Sequence, residues 1–177
     1  MFFALFSAAL ALPIPLGAAP GGGVEFAVGS SAGPTKGHLD VFEAQLDLEA
    51  RTGFFEGQAG TLSTGLGPRD QRLLYYALEV ATFPTIRFDL RKIEGSASEL
   101  VSRSGSGAVR LVGSLTIRDV ALPITIPSTF AWEAEKLRLT GETTLDWASF
   151  GVPDPSVLIA KVEPAVSVSF DLAGSPP

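Results

Sequence analysis

The stretch VRLVGSLTIRDVALPITIPSTFAW, residues 109–132, decides the fold. Val109, Leu111, Leu115 and Ile117 alternate with Arg110, Ser114, Thr116 and Arg118. After the break at Arg118-Asp119, Leu122, Ile124, Ile126, Phe130 and Trp132 share one face of a second run. A period of two marks a strand with one buried face, and two such runs joined by so short a break form an antiparallel hairpin. Pro123 and Pro127 share the outward phase of the second run. Proline cannot donate to a ladder, so a seam or bulge is expected there.

The same period runs outward from this hairpin in both directions. Phe42, Ala44, Leu46 and Leu48 alternate with Glu43, Gln45, Asp47 and Glu49. Leu39 and Val41 sit in the opposite phase, which predicts a β-bulge near Val41-Phe42. Phe55, Gly57 and Ala59 share one side of a strand over 54–62. Ile86, Phe88 and Leu90 alternate with Arg87, Asp89 and Arg91. Leu137, Leu139, Leu145 and Trp147 alternate with Lys136, Arg138, Glu142 and Thr144, and Val162, Val166, Val168, Phe170 and Leu172 alternate with Glu163, Ser167, Ser169 and Asp171. With a short strand over 24–28, the pattern predicts an all-β, eight-stranded antiparallel up-and-down barrel, closed so that no edge is left unpaired.

One segment breaks the period. Leu73, Leu74, Ala77, Leu78 and Ala81 recur at three- and four-residue spacing, which predicts one short helix between the third and fourth strands. Gly67-Pro68 opens it and Phe83-Pro84 closes it, a position from which it would cap one mouth of the barrel.

The polarity of the strands separates a soluble barrel from a membrane one. One face of each strand is aliphatic and aromatic, and the other carries Glu, Asp, Arg or Lys. Against lipid, each midplane Arg or Lys would cost about 2–4 kcal/mol. Charge out and apolar in therefore argues against permanent membrane insertion. The net charge of −6 and the absence of a basic run argue against nucleic acid as a partner. Phe2 to Leu12 is almost wholly apolar, Pro13 and Pro15 break it, and Gly17-Ala18-Ala19 has the small-x-small pattern of a signal-peptidase site. Residues 1–19 are read as a signal peptide, 20–23 as a linker and 24–177 as the barrel domain, exported to the periplasm or secreted. The alternative is a buried N-terminal strand or helix.

Chemistry-bearing constellations are sparse. The chain has no cysteine and a single histidine, His38, read as a surface turn residue, so thiol and zinc chemistry are not expected. Asp47 and Glu49 lie on an outward face, unlike catalytic acids. No residue is assigned a catalytic or metal-ligating role, and no cofactor is expected. Arg69-Asp70 is the most distinctive polar pair. It is either a contact to a ligand head group at the mouth or an ion pair at the helix start, where Asp70 favours the dipole. Pattern alone leaves open whether the interior is filled by its own side chains or holds a ligand, because an eight-stranded barrel stands at that boundary.

The segment GLGPRDQRL (65–73), followed by TFPTIRF (82–88), resembles the YceI-like lipid/polyisoprenoid-binding family. VGSLTIRDV (112–120), LPITI (122–126), Gly141, Trp147 and SFGV (149–152) continue the resemblance over roughly 24–172. The chain departs from the family pattern at Arg72, where histidine is common, at Asp119 in place of a hairpin glycine, at Pro164 in the last strand, and in lacking a His-Ser near the first strand. The resemblance implies a lipocalin-like barrel that takes an isoprenoid or other long-chain lipid, such as a polyprenyl or quinone tail, in an apolar tunnel, without catalysis. The ligand-binding residues it implies are Phe42, Leu46, Phe55, Phe83, Ile86 and Phe88 in the first half. Leu111, Leu115, Ile117, Leu122, Ile124, Ile126 and Phe130 follow from the central hairpin. Leu139, Leu145, Trp147, Phe150, Val166, Val168 and Phe170 complete the set. The competing readings are a structural module with a filled barrel and an enzyme acting in the cavity. A homodimer is one assembly the sequence allows.

Overall fold

Residues 12–157 and 160–177 are described by a computed structural model, and they form a closed antiparallel barrel. Its strands are β1 (Ile14–Ala18), β2 (Val24–Ser30), β3 (Thr35–Leu39), β4 (Phe42–Asp47), β5 (Thr52–Gln58), β6 (Leu62–Ser63), β7 (Thr85–Gly95), β8 (Ser106–Ile117), β9 (Val120–Glu133), β10 (Lys136–Asp146) and β11 (Val162–Gly174). These eleven segments build eight staves. β1 and β2 lie end to end along one edge of β11. β3 and β4 lie end to end beside them, with Val24 opposite Leu39 and Leu16 opposite Ala44. β6 prolongs β5 by pairing Leu62 with Leu39. The ring then runs β4–β5–β7–β8–β9–β10–β11, and β11 closes it against β1 and β2.

The bulge expected near Val41-Phe42 is present. Asp40 and Val41 interrupt the second stave, and the inward phase passes from Leu39 to Ala44 and Leu46. The first stave has a matching interruption at residues 19–23, where Ala19 N–H donates to Asp171 O and Asp171 N–H donates to Gly23 O. Gly21 and Gly23 hold φ values of 73° and 145°, a conformation that favours glycine. The triple glycine is thus a bulge inside the barrel wall, not a linker before it. Among the described residues the wall starts at Ile14, ahead of the boundary expected at Val24, and the Ile14 side chain is buried beside β4 and β11. The apolar run read as a leader lies, through Ala11, outside the described residues.

The seam expected at Pro123 and Pro127 is also present. β9 pairs with β8 without a break from Val120 to Ala131, but with β10 only from Ser128 to Glu133. Both prolines therefore sit where the other edge of β9 carries no β10 partner. Pro164 falls in the register shift between Val162 and Val166.

The helix reading needs two corrections. The segment starts as α1 (Gly67–Gln71) but continues as a π-helical stretch over Arg72–Ala77, with Leu78 N–H donating to Leu73 O, and it ends before Glu79, at φ 49°. It therefore stops short of Ala81 and Phe83-Pro84. A second short helix, α2 (Ala97–Val101), joins β7 to β8. Its Leu100 is fully buried and its Ala97 nearly so, and Trp132 Nε1 donates to Leu100 O at 3.2 Å. Ala97, Leu100 and Val101 stand at helical spacing, but one turn is too short for that spacing to distinguish a helix from a loop.

α2 seals one end of the barrel over Ile93, Val109, Phe130 and Leu137, all buried. The outer wall carries cross-strand ion pairs, Arg87 with Glu56 at 3.0 Å, Arg110 with Glu94 at 2.9 Å and Arg138 with Asp171 at 2.6 Å, and Arg87 also pairs along its own strand with Asp89 at 2.9 Å. His38 lies on outward β3, 3.3 Å from Asp40, rather than in a turn. Substituting neighbours on β7 should separate the two faces. Arg87→Gln should lower unfolding stability by less than about 1 kcal/mol, as for an exposed pair. Phe88→Asp should cost more than about 4 kcal/mol, because it buries an unpaired charge. Urea unfolding followed by circular dichroism reads both, and the reverse order would invert the assignment of faces.

Candidate functional site

Above the packed end the interior is hollow. A cavity of about 290 Å³ runs from Leu16, Leu46, Leu111, Leu139 and Leu172 up to the mouth. There Leu73 and Ala77 of the π-helical segment, Leu78 just past it, and Val152 and Pro155 of the loop before β11 roof it. The wall between is apolar because each stave turns its aliphatic phase inward. Of the residues assigned to the ligand, Leu46, Phe55, Ile86 and Phe88 reach the cavity from β4, β5 and β7. Leu111, Leu115, Ile117, Ile124 and Ile126 reach it from β8 and β9. Leu139, Leu145, Trp147, Val166, Val168 and Phe170 do so from the last staves and the turn between them.

Five assigned residues do not line it. Phe42 packs on Phe55 with ring centroids 5.2 Å apart. Phe130 and Phe150 are buried in the core. Leu122 is half-buried against that core. Phe83 lies in the turn before β7, where the Arg118 guanidinium stacks on its ring at 5.2 Å. Sequence reasoning missed others. Val24, Phe26 and Val28 share the inward phase of β2, a signal available in their alternation. Leu73 and Ala77 were legible from their four-residue spacing. Leu16 was assigned to the leader, and Val152 and Pro155 sit in an irregular loop without any periodic cue.

Polar groups are nearly absent from the lumen. Thr143 is the polar residue of β10 that borders it on the inward phase. Glu25 and Gln45 also border it, but from the outward phases of β2 and β4. Buried Ser128 donates its hydroxyl to Ile126 O at 3.1 Å. Among the described residues, no group of three His, Cys, Asp or Glu side chains is arranged to hold a metal ion.

The polar residues gather at the mouth, where they fasten the roof. Arg72 donates to Pro155 O at 2.7 Å and Ser156 O at 2.8 Å, and its guanidinium stacks on Tyr76 at 4.4 Å. Arg118 donates to Gly151 O at 2.6 Å and to Glu79 at 2.7 Å. Arg69 and Asp70 form no direct ion pair. Arg69 donates to Thr64 Oγ1 at 2.8 Å and Thr35 Oγ1 at 2.9 Å. Asp70 accepts from Ser63 Oγ at 2.9 Å, from Thr64 N–H at 2.8 Å and from the Thr64 hydroxyl. Both therefore bind the helix start to the strand ends beneath it, and their side chains are spent on that contact.

Burial alone would raise the Asp70 pKa, but the hydrogen bonds from Thr64 and Ser63, with Arg69 alongside, outweigh it and hold the carboxyl below its ordinary 3.8. A depressed carboxylate pKa contributes stability that is complete above the unfolded value and is lost as pH falls through the folded one. Asp70→Asn should therefore lower the melting temperature at neutral pH, and its further decline below pH 3.8 should be shallower than in the native protein. Parallel slopes in melting curves taken across that range would remove Asp70 from this role.

Comparison with known proteins agrees with this geometry. The profile of the YceI-like domain matches residues 21–173. A polyisoprenoid binding domain from Saccharophagus degradans, implicated in plant cell wall breakdown, superposes with a TM-score of 0.76 at 15% identity, covering 93% of this chain and 98% of that one. Burkholderia cenocepacia BcnA gives 0.69 at 19% identity, over 85% and 95% of the two chains. The Campylobacter jejuni YCEI protein gives 0.66 at 14% identity, over 81% and 85%. No curated protein sequence matches the chain. With a lipocalin-like barrel, a helix across its mouth and a profile match over most of its length, the chain belongs to the YceI-like domain family.

Proposed function

We propose that this protein binds a long apolar isoprenoid-type lipid, a polyprenyl chain or quinone tail, inside its barrel, and that it does so as a carrier or reservoir without catalysis. The observation that carries this reading is the cavity of about 290 Å³ with its aliphatic and aromatic wall. A barrel packed solid, as a purely structural module requires, would have no such space. An enzyme would need polar groups converging in the lumen, and Thr143 stands there alone on the inward phase. The structural relative from Saccharophagus degradans, a polyisoprenoid binding domain, supports the same ligand class.

Burial of hydrocarbon accounts for the affinity. Each CH₂ removed from water contributes about 0.8 kcal/mol, so one five-carbon unit contributes roughly 3–4 kcal/mol as an upper bound. A few ordered units offset the entropy of fixing a flexible tail. The volume of about 290 Å³ lies just under the range of about 300–1,000 Å³ typical of small-molecule sites. The lumen as it stands therefore takes the first units of a chain, and a longer one displaces the roof at Leu73 and Leu78.

We place the protein outside the cytoplasm, in the periplasm or secreted, on the strength of the apolar run over residues 2–12. Because Ile14 and Leu16 are buried in the wall, the mature chain should retain them. Amino-terminal sequencing of the exported protein tests this, and cleavage after Ala19 would contradict it.

Mass spectrometry of an organic extract of the purified protein should find a prenyl lipid at near-stoichiometric level. Ile124→Asp, which puts a carboxylate in the lumen, should abolish that retention, whereas Thr125→Asp on the exposed face of the same strand should keep it. Absence of any lipid from native protein, in extracts and after incubation with prenyl alcohols, would refute the carrier reading.

A further inference from the structure

Three phenylalanine rings of the cavity wall are seated on glycines of the neighbouring stave. Phe26 of β2 lies on Gly37 of β3, and Phe170 of β11 lies on Gly141 of β10, each glycine being the direct ladder partner of its ring. Phe88 of β7 lies on Gly113 of β8, one inward step from its own partner Leu115. The glycines belong to the inward phases of their strands, and any Cβ added there would meet ring atoms. At Gly141 that Cβ would stand 2.6 Å from Phe170 Cζ, 2.7 Å from Cε1 and 2.6 Å from Ser128 Oγ. Each ring thus occupies the space that a side chain would otherwise fill. Each ring stands on a strand paired to that of its glycine, so a ring lifted from its seat turns toward the lumen that it borders.

We infer that Gly37, Gly113 and Gly141 set the bore of the lumen, and that they keep it wide enough for a methyl-branched hydrocarbon chain. This deepens the lipid-binding reading and rests on it for the ligand class. A straight chain needs less width than one carrying a methyl group on every unit. Loss of a seat therefore penalises the branched chain more.

Gly141 is the position for the test, because the three atoms nearest its added Cβ all belong to side chains. Added Cβ atoms at Gly37 and Gly113 would also meet backbone oxygens, of Ser63 and Asp89. Gly141→Ala should remain folded, weaken binding of a prenyl alcohol roughly tenfold, the equivalent of about two buried methylenes, and weaken binding of a straight-chain alcohol less. Gly141→Ala combined with Phe170→Leu should restore both. Crystals held under xenon pressure give a readout independent of lipid, since xenon fills dry apolar cavities. Xenon density beside Phe170 should fall in Gly141→Ala and return in the double variant. Unchanged xenon occupancy in a folded Gly141→Ala protein overturns the inference. Native protein that takes up xenon but neither alcohol overturns the lipid reading instead, while the xenon arm still decides what sets the bore. Should Gly141→Ala not fold, Phe170→Leu alone carries the test: it must add xenon beside residue 141, and no gain overturns the inference.

Discussion

Closure of the hydrogen-bonded ring is the constraint from which the remaining structure follows. Once β11 pairs with both β1 and β2, the number of staves is set, and with it the radius of the interior. At that radius the inward side chains can either fill the barrel or leave room, so the outcome passes from the backbone to side-chain volumes. Near α2 they fill it: Ile93, Leu100, Phe130, Trp132 and Leu137 leave no lumen. Toward the mouth, glycines stand on the inward phase, the rings of neighbouring staves lie on them, and the middle stays open. One architecture thus holds a solid half and a hollow half, distinguished only by which residues occupy the inward phase.

The polar chemistry of the protein is segregated from this interior. Outer-wall carboxylates and guanidinium groups pair across strands in water, where each contact is worth little singly. At the mouth, Arg69, Asp70, Arg72 and Arg118 turn their hydrogen bonds to threonine and serine hydroxyls, main-chain carbonyls and Glu79, joining the roof helix to the loop and strand ends around it. Arg72 holds two carbonyls of the loop opposite. The roof is therefore held by directional contacts at its rim, while its underside contributes only apolar residues, Leu73, Ala77, Leu78, Val152 and Pro155, to the lumen.

Much of this was legible in the sequence because the strand period and the burial pattern are the same fact. Alternation in residues 109–132 located the central hairpin, the phase slip at Val41-Phe42 located a bulge, and Pro123 with Pro127 marked the one stretch of β9 without a β10 partner. What escaped was whatever lacks a period. β1 is too short and too close to an apolar run to distinguish itself from a leader, so only its pairing with β4 and β11 reveals it. α2 is a single turn whose identity comes from what it plugs. The π-helical stretch obeys helical spacing at first and then departs from it, which made the segment appear longer than it is. For the site, direction was readable and depth was not. Phe130 and Leu139 share an inward phase with their neighbours, yet one belongs to the packed half and the other to the hollow one.

The seal made by α2 has a consequence for traffic. If the protein carries a lipid as proposed, a vessel closed at the α2 end would be loaded and emptied through its mouth, so arrival and departure would compete for it. A guest would not pass straight through from one donor to a recipient on the opposite side. Delivery would then be sequential, with the whole molecule turning or travelling between encounters, as a ferry does and a pipe does not.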